Sequence, residues 1–107
     1  MKAYTDIEQS KMLAEILPAE SADMCFNDNE PCWSLAALIE ALPLGVDIHN
    51  ITDGHKMYYY VEIYTKEIYM KLKRMNKAEI CLSSERHENL VDACVEMIIK
   101  LKENDLS

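Results

Sequence analysis

"VDIHNITDGHKMYYYVEI", residues 46–63, is the stretch that decides the fold. Apolar residues recur here in steps of two, whereas the segments before it follow a helical period. Asp53-Gly54 in its middle is a strong signal for a two-residue hairpin loop. That loop sets Val46 opposite Val61 and Ile48 opposite Tyr59, with Met57 on the same face. Asp47, His49, Tyr58 and Tyr60 go to the other face, so the register sorts apolar from polar.

The pattern continues toward the C-terminus. A turn at Lys66-Glu67 pairs Ile63 with Met70 and Val61 with Leu72 on the inner face. On the outer face it brings Tyr64 to Tyr69 and Glu62 to Lys71. A further turn at Met75-Asn76-Lys77 places Ile80 beside Leu72, Leu82 beside Met70, and Lys73 near Glu79. The expectation is an antiparallel meander of three to four strands. Beyond it, "SSERHEN" reads as a polar loop, and a helix runs from near Asn89 to about Glu103. Leu90, Cys94, Met97, Ile98 and Leu101 form its core stripe, with Asp92, Glu96, Lys100 and Glu103 on the wet side. Glu96 and Lys100 are ordered for an i,i+4 pair, and acids at the start and lysines near the end suit the helix dipole.

Toward the N-terminus, "PCWSLAALIEALP", residues 31–43, is bounded by prolines and carries one charge, Glu40. Ser34 is the natural N-cap, and Trp33 occupies the staple position opposite Leu38. A segment this apolar is expected in the core, wedged between two longer helices against the sheet. The first helix reads from Thr5, with Thr5 and Glu8 as a capping box, and is closed by Pro18. Ile7, Met12, Leu13, Ile16 and Leu17 make its apolar stripe, and Lys11 pairs with Glu15 on the opposite side. Ala19 to Glu30 reads as a loop with an isolated turn. The sequence therefore predicts one α+β domain over residues 1–107: two N-terminal helices, the meander, and a C-terminal helix. The layout is two-layered, with the helices on one sheet face.

Composition narrows the function. A chain of 107 residues, half of them hydrophobic, suffices for one core. Its formal net charge of −8 opposes phosphate backbones and anionic lipid. Asp6, Glu8 and Glu15 interrupt what a secretory leader would keep apolar, and no stretch has the length of a membrane span, so a cytoplasmic location is expected. Cys25 and Cys32, and Cys81 and Cys94, are spaced too widely for zinc knuckles and read as reduced, buried thiols. The two glycines, Gly45 and Gly54, are too few for a phosphate-cradling loop or a nucleophile elbow. No cofactor is implied.

Three histidines remain. His55 and His87 read as solvent-exposed, and His49 as a cross-strand neighbour of Tyr58. Asp47 with His49, or Cys32 near the start of the second helix, would serve a small enzyme with a cleft between helices and sheet. What rises above background is the outer sheet face, with Tyr58, Tyr60, Tyr64 and Tyr69 interleaved with Lys56, Lys71 and Lys73. Such a face suits a protein interface, since tyrosine buries much area at little entropic cost. It also has the form of a single-strand nucleic-acid platform, which the net charge opposes. The expected partner is another protein or a second copy of the chain, through this face or an open sheet edge.

Three segments, "MKAYTDIEQSKMLAEILPAESADM", "PCWSLAALIEALP" and "DACVEMIIKL", resemble in that order a set of short uncharacterised proteins of anaerobic gut bacteria. These are associated with prophage or other mobile-element genes. The resemblance implies a bacterial cytosolic accessory protein that binds another protein, and it carries no functional residues with it.

Overall fold

The structure is a computed structural model that describes residues 2–43, 46–63, 70, 74 and 82–104. In chain order its elements are α1 (Ile7–Ala14), a 3-10 turn (Ala19–Ser21), β1 (Met24–Cys25), β2 (Pro31–Cys32), α2 (Leu35–Ala41), β3 (Val46–Asp53), β4 (Lys56–Ile63) and α3 (Leu90–Glu103). The class is α+β, with two two-stranded antiparallel sheets among the described residues, β1–β2 and β3–β4.

The C-terminal helix forms where its residues predict. Asn89 caps it, its Oδ1 accepting the Asp92 amide at 2.8 Å, and Lys100 and Lys102 lie in the last turn. Its burial exceeds one stripe. Val91, Ala93, Cys94, Val95, Met97, Ile98 and Leu101 are all buried, because the helix packs against β4, α2 and the flank of α1. This corrects the expected arrangement of helices side by side on the sheet. The sheet meets the helices through α3 on β4, while α2 packs on α3, and α1 on β2 and α3.

The proline-bounded segment is core. Trp33 and Leu38 are fully buried, and Ser34 caps α2 by accepting the Ala37 amide. The helix is not apolar-buried on every side: Ala36, Ile39 and Glu40 face outward. The Trp33 indole N–H donates to Ser21 Oγ at 2.9 Å, and that hydroxyl donates to the Pro18 carbonyl. A burial site for an indole thus comes with its acceptor.

The first helix is capped one residue later than expected. Asp6, not Thr5, is the N-cap, with Gln9 completing the box: Asp6 Oδ1 accepts the Gln9 amide and Gln9 Oε1 accepts the Asp6 amide. Thr5 is buried instead. Its Oγ1 accepts the Trp33 amide at 3.0 Å and shares a 2.7 Å hydrogen bond with Ser10 Oγ, while its own amide donates to the Trp33 carbonyl. The core-facing residues of α1 are accordingly Ser10 and Leu13, and Ile7 and Met12 are 59% and 45% exposed. Regular helix ends at Ala14, ahead of Pro18, although Leu17 N still donates to Leu13 O. Among the described residues no ion pair joins Lys11 to Glu15.

Residues 19–30, expected as loop, contain the 3-10 turn and β1, which pairs with β2 as Met24↔Cys32 and Cys25↔Pro31. The turn closes with Phe26 N donating to Glu30 O and Asn29 N to Phe26 O. Asn29 adopts a left-handed φ of 67°, a conformation asparagine tolerates. A backbone bridge between Tyr4 and Ser34 extends the pairing on the other side of this hairpin.

The β3–β4 hairpin exists, but its register is displaced by two. The pairs are Val46↔Ile63, Ile48↔Val61 and His49↔Tyr60, and the loop is Gly54-His55 rather than Asp53-Gly54. Gly54 has a φ of 65° and His55 is not left-handed, the pattern of a loop with glycine at its first central position. A displacement of two preserves facing, so the two sets of residues share the faces expected of them.

The meander does not continue as expected. Met70, assigned to the third strand beside Ile63, is helical, as is Arg74. The place beside β4 belongs to residues 82–87, of which Leu82 is expected in the last strand and the rest in the polar run. Ile63 N donates to Leu82 O, Ser84 N to Val61 O, and Tyr59 and His87 exchange both backbone bonds. Bridges Tyr59↔His87 and Glu62↔Ser83 set four steps of this segment against three of β4, a bulge. There Ser84 Oγ takes over a backbone role by accepting the Val61 amide at 2.9 Å. The expected neighbours Tyr64–Tyr69, Glu62–Lys71, Leu72–Ile80 and Lys73–Glu79 lie outside the described residues.

Candidate interaction surface

Alternation along the hairpin places Asp47, His49, Ile51 and Asp53 of β3 with Lys56, Tyr58, Tyr60 and Glu62 of β4 on one face. The opposite face carries Val61, fully buried in the core, with Val46 and Ile63 packed beside it. Tyr58 and Tyr60 are therefore held on the side turned away from α3, each half-buried. Tyr60 stacks on its cross-strand partner His49, with centroids 4.6 Å apart and planes 13° from parallel. His49 Nε2 is shielded and lies 3.4 Å from Glu62 Oε2, in an alignment that makes no hydrogen bond. Asp47 and Glu62 face each other directly, like charges on one face. Lys56 reaches Glu88 at 3.2 Å, and this carboxylate holds its ammonium above the ordinary lysine range. Tyr64, Tyr69, Lys71 and Lys73, the remaining candidates, lie outside the described residues.

Two residues expected on the inner face are exposed: Ile48, on the outer strand opposite Val61, at 42%, and Met57, near the loop, at 48%. Tyr59 on that face rests its hydroxyl against Met57 Sδ. The hairpin thus offers an aromatic and acidic surface on one side and exposed apolar side chains at Ile48 and Met57 on the other.

The catalytic alternatives fare differently. Cys32 is buried, and its thiol is pushed up by desolvation and by the neighbouring Cys25 and Asp23, the reverse of what a nucleophile needs. Cys94 is buried likewise, its thiol pushed up to about 11. Cys25, also expected to be buried, is exposed. Adjacent register positions send Cys25 and Cys32 to opposite faces of the small hairpin, and both are free thiols. Four clefts lined by described residues include neither Cys32, Asp47 nor His49. His87, expected to be solvent-exposed, is partly buried, with Nε2 2.7 Å from Glu96 Oε1. Glu96 Oε2 also accepts the Glu85 amide, and Lys100 Nζ donates to Ser83 O, so α3 clamps the strand-like segment at both ends. Both histidines make structural contacts.

A polar cluster that the sequence reading missed ties the two ends of the fold together. Asp92, in the first turn of α3, accepts from Lys2 at 2.8 Å, from Gln9 Nε2 at 2.6 Å and from Asn89. Lys2 also reaches Asp6 at 3.1 Å. Burial pushes the Asp92 carboxyl up, but the hydrogen bonds from Lys2, Gln9 and Asn89 outweigh it and hold the group below its ordinary value. Burial pushes the Lys2 ammonium down, but its hydrogen bonds and attraction to Asp92 and Asp6 outweigh this and hold it above its ordinary value. Lys2 and Asp92 are 90 positions apart, beyond the range of local pattern.

No protein-family model, curated protein or solved structure matches this chain. No described helix is long and apolar enough to cross a membrane.

Proposed function

We propose that this protein is a non-enzymatic protein–protein interaction module of the cytosol, and that Tyr58 and Tyr60 lie at its contact surface. The observation that carries the reading is their placement on the face of β4 opposite the core residue Val61, beside Ile51 and the stacked His49. The Tyr60 ring, held by its cross-strand stack on His49, loses little further freedom on binding. The acidic side chains of this face, Asp47, Asp53 and Glu62 against Lys56, favour a protein over a nucleic acid. The raised thiol of Cys32 counts against an enzyme built on that residue. The resemblance to mobile-element proteins of gut bacteria fits an accessory role of this kind.

The test is affinity capture from the native host with quantitative mass spectrometry, using wild type and Tyr58→Ala/Tyr60→Ala. A partner, or the chain itself, should fall about tenfold in the variant, as for truncation of an interface anchor. A captured set unchanged by the double substitution, with the variant still folded, overturns the assignment.

A further inference from the structure

With Ser10 and Leu13 facing the core, helical phase turns Ile7 away from it, and the side chain lines an open groove instead. A groove of about 500 Å³ runs between the start of α1 and the β1–β2 turn, lined by Ile7, Ser10 and Lys11 on one side and Phe26, Asp28 and Glu30 on the other. It continues over a second, shallower hollow formed by Tyr4, Ile7, Glu8 and Phe26. The Tyr4 and Phe26 rings meet edge to face, 6.5 Å between centroids, and Ile7 is the most exposed of the large apolar residues beside them.

The rim is predominantly acidic. Asp6, Glu8, Asp28 and Glu30 surround the apolar floor, against Lys11 alone. Asp6 is already engaged by Lys2 and the Gln9 amide, but among the described residues Glu8, Asp28 and Glu30 take part in no ion pair. We infer that this groove docks a basic segment of a partner protein, one large apolar side chain entering between Ile7 and Phe26 with lysines or arginines on either side. A second copy of a chain with net charge −8 would meet the same rim with like charge. The groove lies on different elements from the tyrosine face and does not rest on that reading.

The probe is a synthetic amphipathic peptide of leucine and lysine at helical spacing, titrated into the isotope-labelled full chain and followed by amide NMR. Its counterpart has glutamate in place of every lysine. The lysine peptide should shift the amides of residues 4–11 and 26–30, and Ile7→Ser should weaken it about tenfold without lowering the melting temperature. Glu8→Lys/Glu30→Lys should weaken it as well. Equal affinity for the glutamate peptide, indifference to Ile7→Ser, or shifts centred on Tyr58 and Tyr60 would each overturn the proposal. Concentration-dependent shifts of the same amides without peptide would assign the groove to a second copy and overturn the basic partner.

Discussion

Helices α1 and α3 look alike in sequence, each with a side-chain cap, an acid in the first turn and an apolar stripe, yet they end in different environments. α3 buries seven residues and α1 only two, Ser10 and Leu13. The difference lies in what surrounds them. α3 has β4 and α2 against it, so positions off its stripe are covered as well. α1 lies at the margin, where one narrow face is enough, and with Ser10 and Leu13 on that face helical phase turns Ile7 away from it. An apolar stripe therefore states that a helix has a core side, and its neighbours determine how much of the stripe is used.

Four measurements sharpen this contrast. Met97→Ala in α3 should cost about 2–5 kcal/mol in chemical denaturation, since a fully buried side chain leaves a cavity. A loss below about 1 kcal/mol would mean that α3 is not the centre of the core. Next in size, Thr5→Val keeps the shape of the side chain but removes the acceptor of the Trp33 amide. Leaving that buried group unpaired should cost about 1–3 kcal/mol, whereas an N-cap role for Thr5 would instead show as lost helix content in α1.

A smaller effect is expected from the cluster joining the two helices. Asp6, through the Gln9 amide and Lys2, and Asp92 both titrate below the ordinary 3.8, so the unfolded chain takes up protons first on acidification. Their contribution is complete above 3.8 and is lost as pH falls through the folded values. The stability gap between wild type and Asp92→Asn should be constant at neutral pH and close below 3.8. Lys2 is raised above 10.5, so its contribution is complete below that pH and fades as pH rises through its folded value. A gap that persists in strong acid would remove Asp92 from this role. Smallest of all, Ile7→Ala should change stability by no more than about 0.5 kcal/mol, since its side chain is largely exposed. A loss comparable to Met97→Ala would erase the distinction between the helices.

The same contrast explains what could be read from the chain. α3 and α2 were legible at both ends because Asn89 and Ser34 are caps with apolar periods directly behind them. At α1 two overlapping boxes compete, Thr5-x-x-Glu8 and Asp6-x-x-Gln9, and the choice follows from Trp33, whose amide needs Thr5. In the β3–β4 hairpin, period two fixes the faces but says nothing of pairing, which depends on where glycine sits in the loop. The faces of Tyr58 and Tyr60 were therefore readable, and their opposite partners were not. Residues 83–87 do not read as a strand because their strand-like bonds rely on a bulge and on the hydroxyl of Ser84, and neither leaves a hydrophobic alternation. The groove beside Ile7 was hidden by the assumption that every stripe residue faces the core. Asp6-x-x-Gln9 and the turn formers of "FNDN" were its available signals.

The central place of α3 also bears on how the chain comes to be folded. Each packed element upstream makes contact with α3 or with something α3 supports, and α3 is made after all of them. During synthesis Trp33, Leu38 and Val61 leave the ribosome with no helix to close over them. Local turns and the two hairpins can form early, but the shared core assembles only once the last of these elements emerges. Until then the apolar side chains that α3 covers stay open to whatever is nearby.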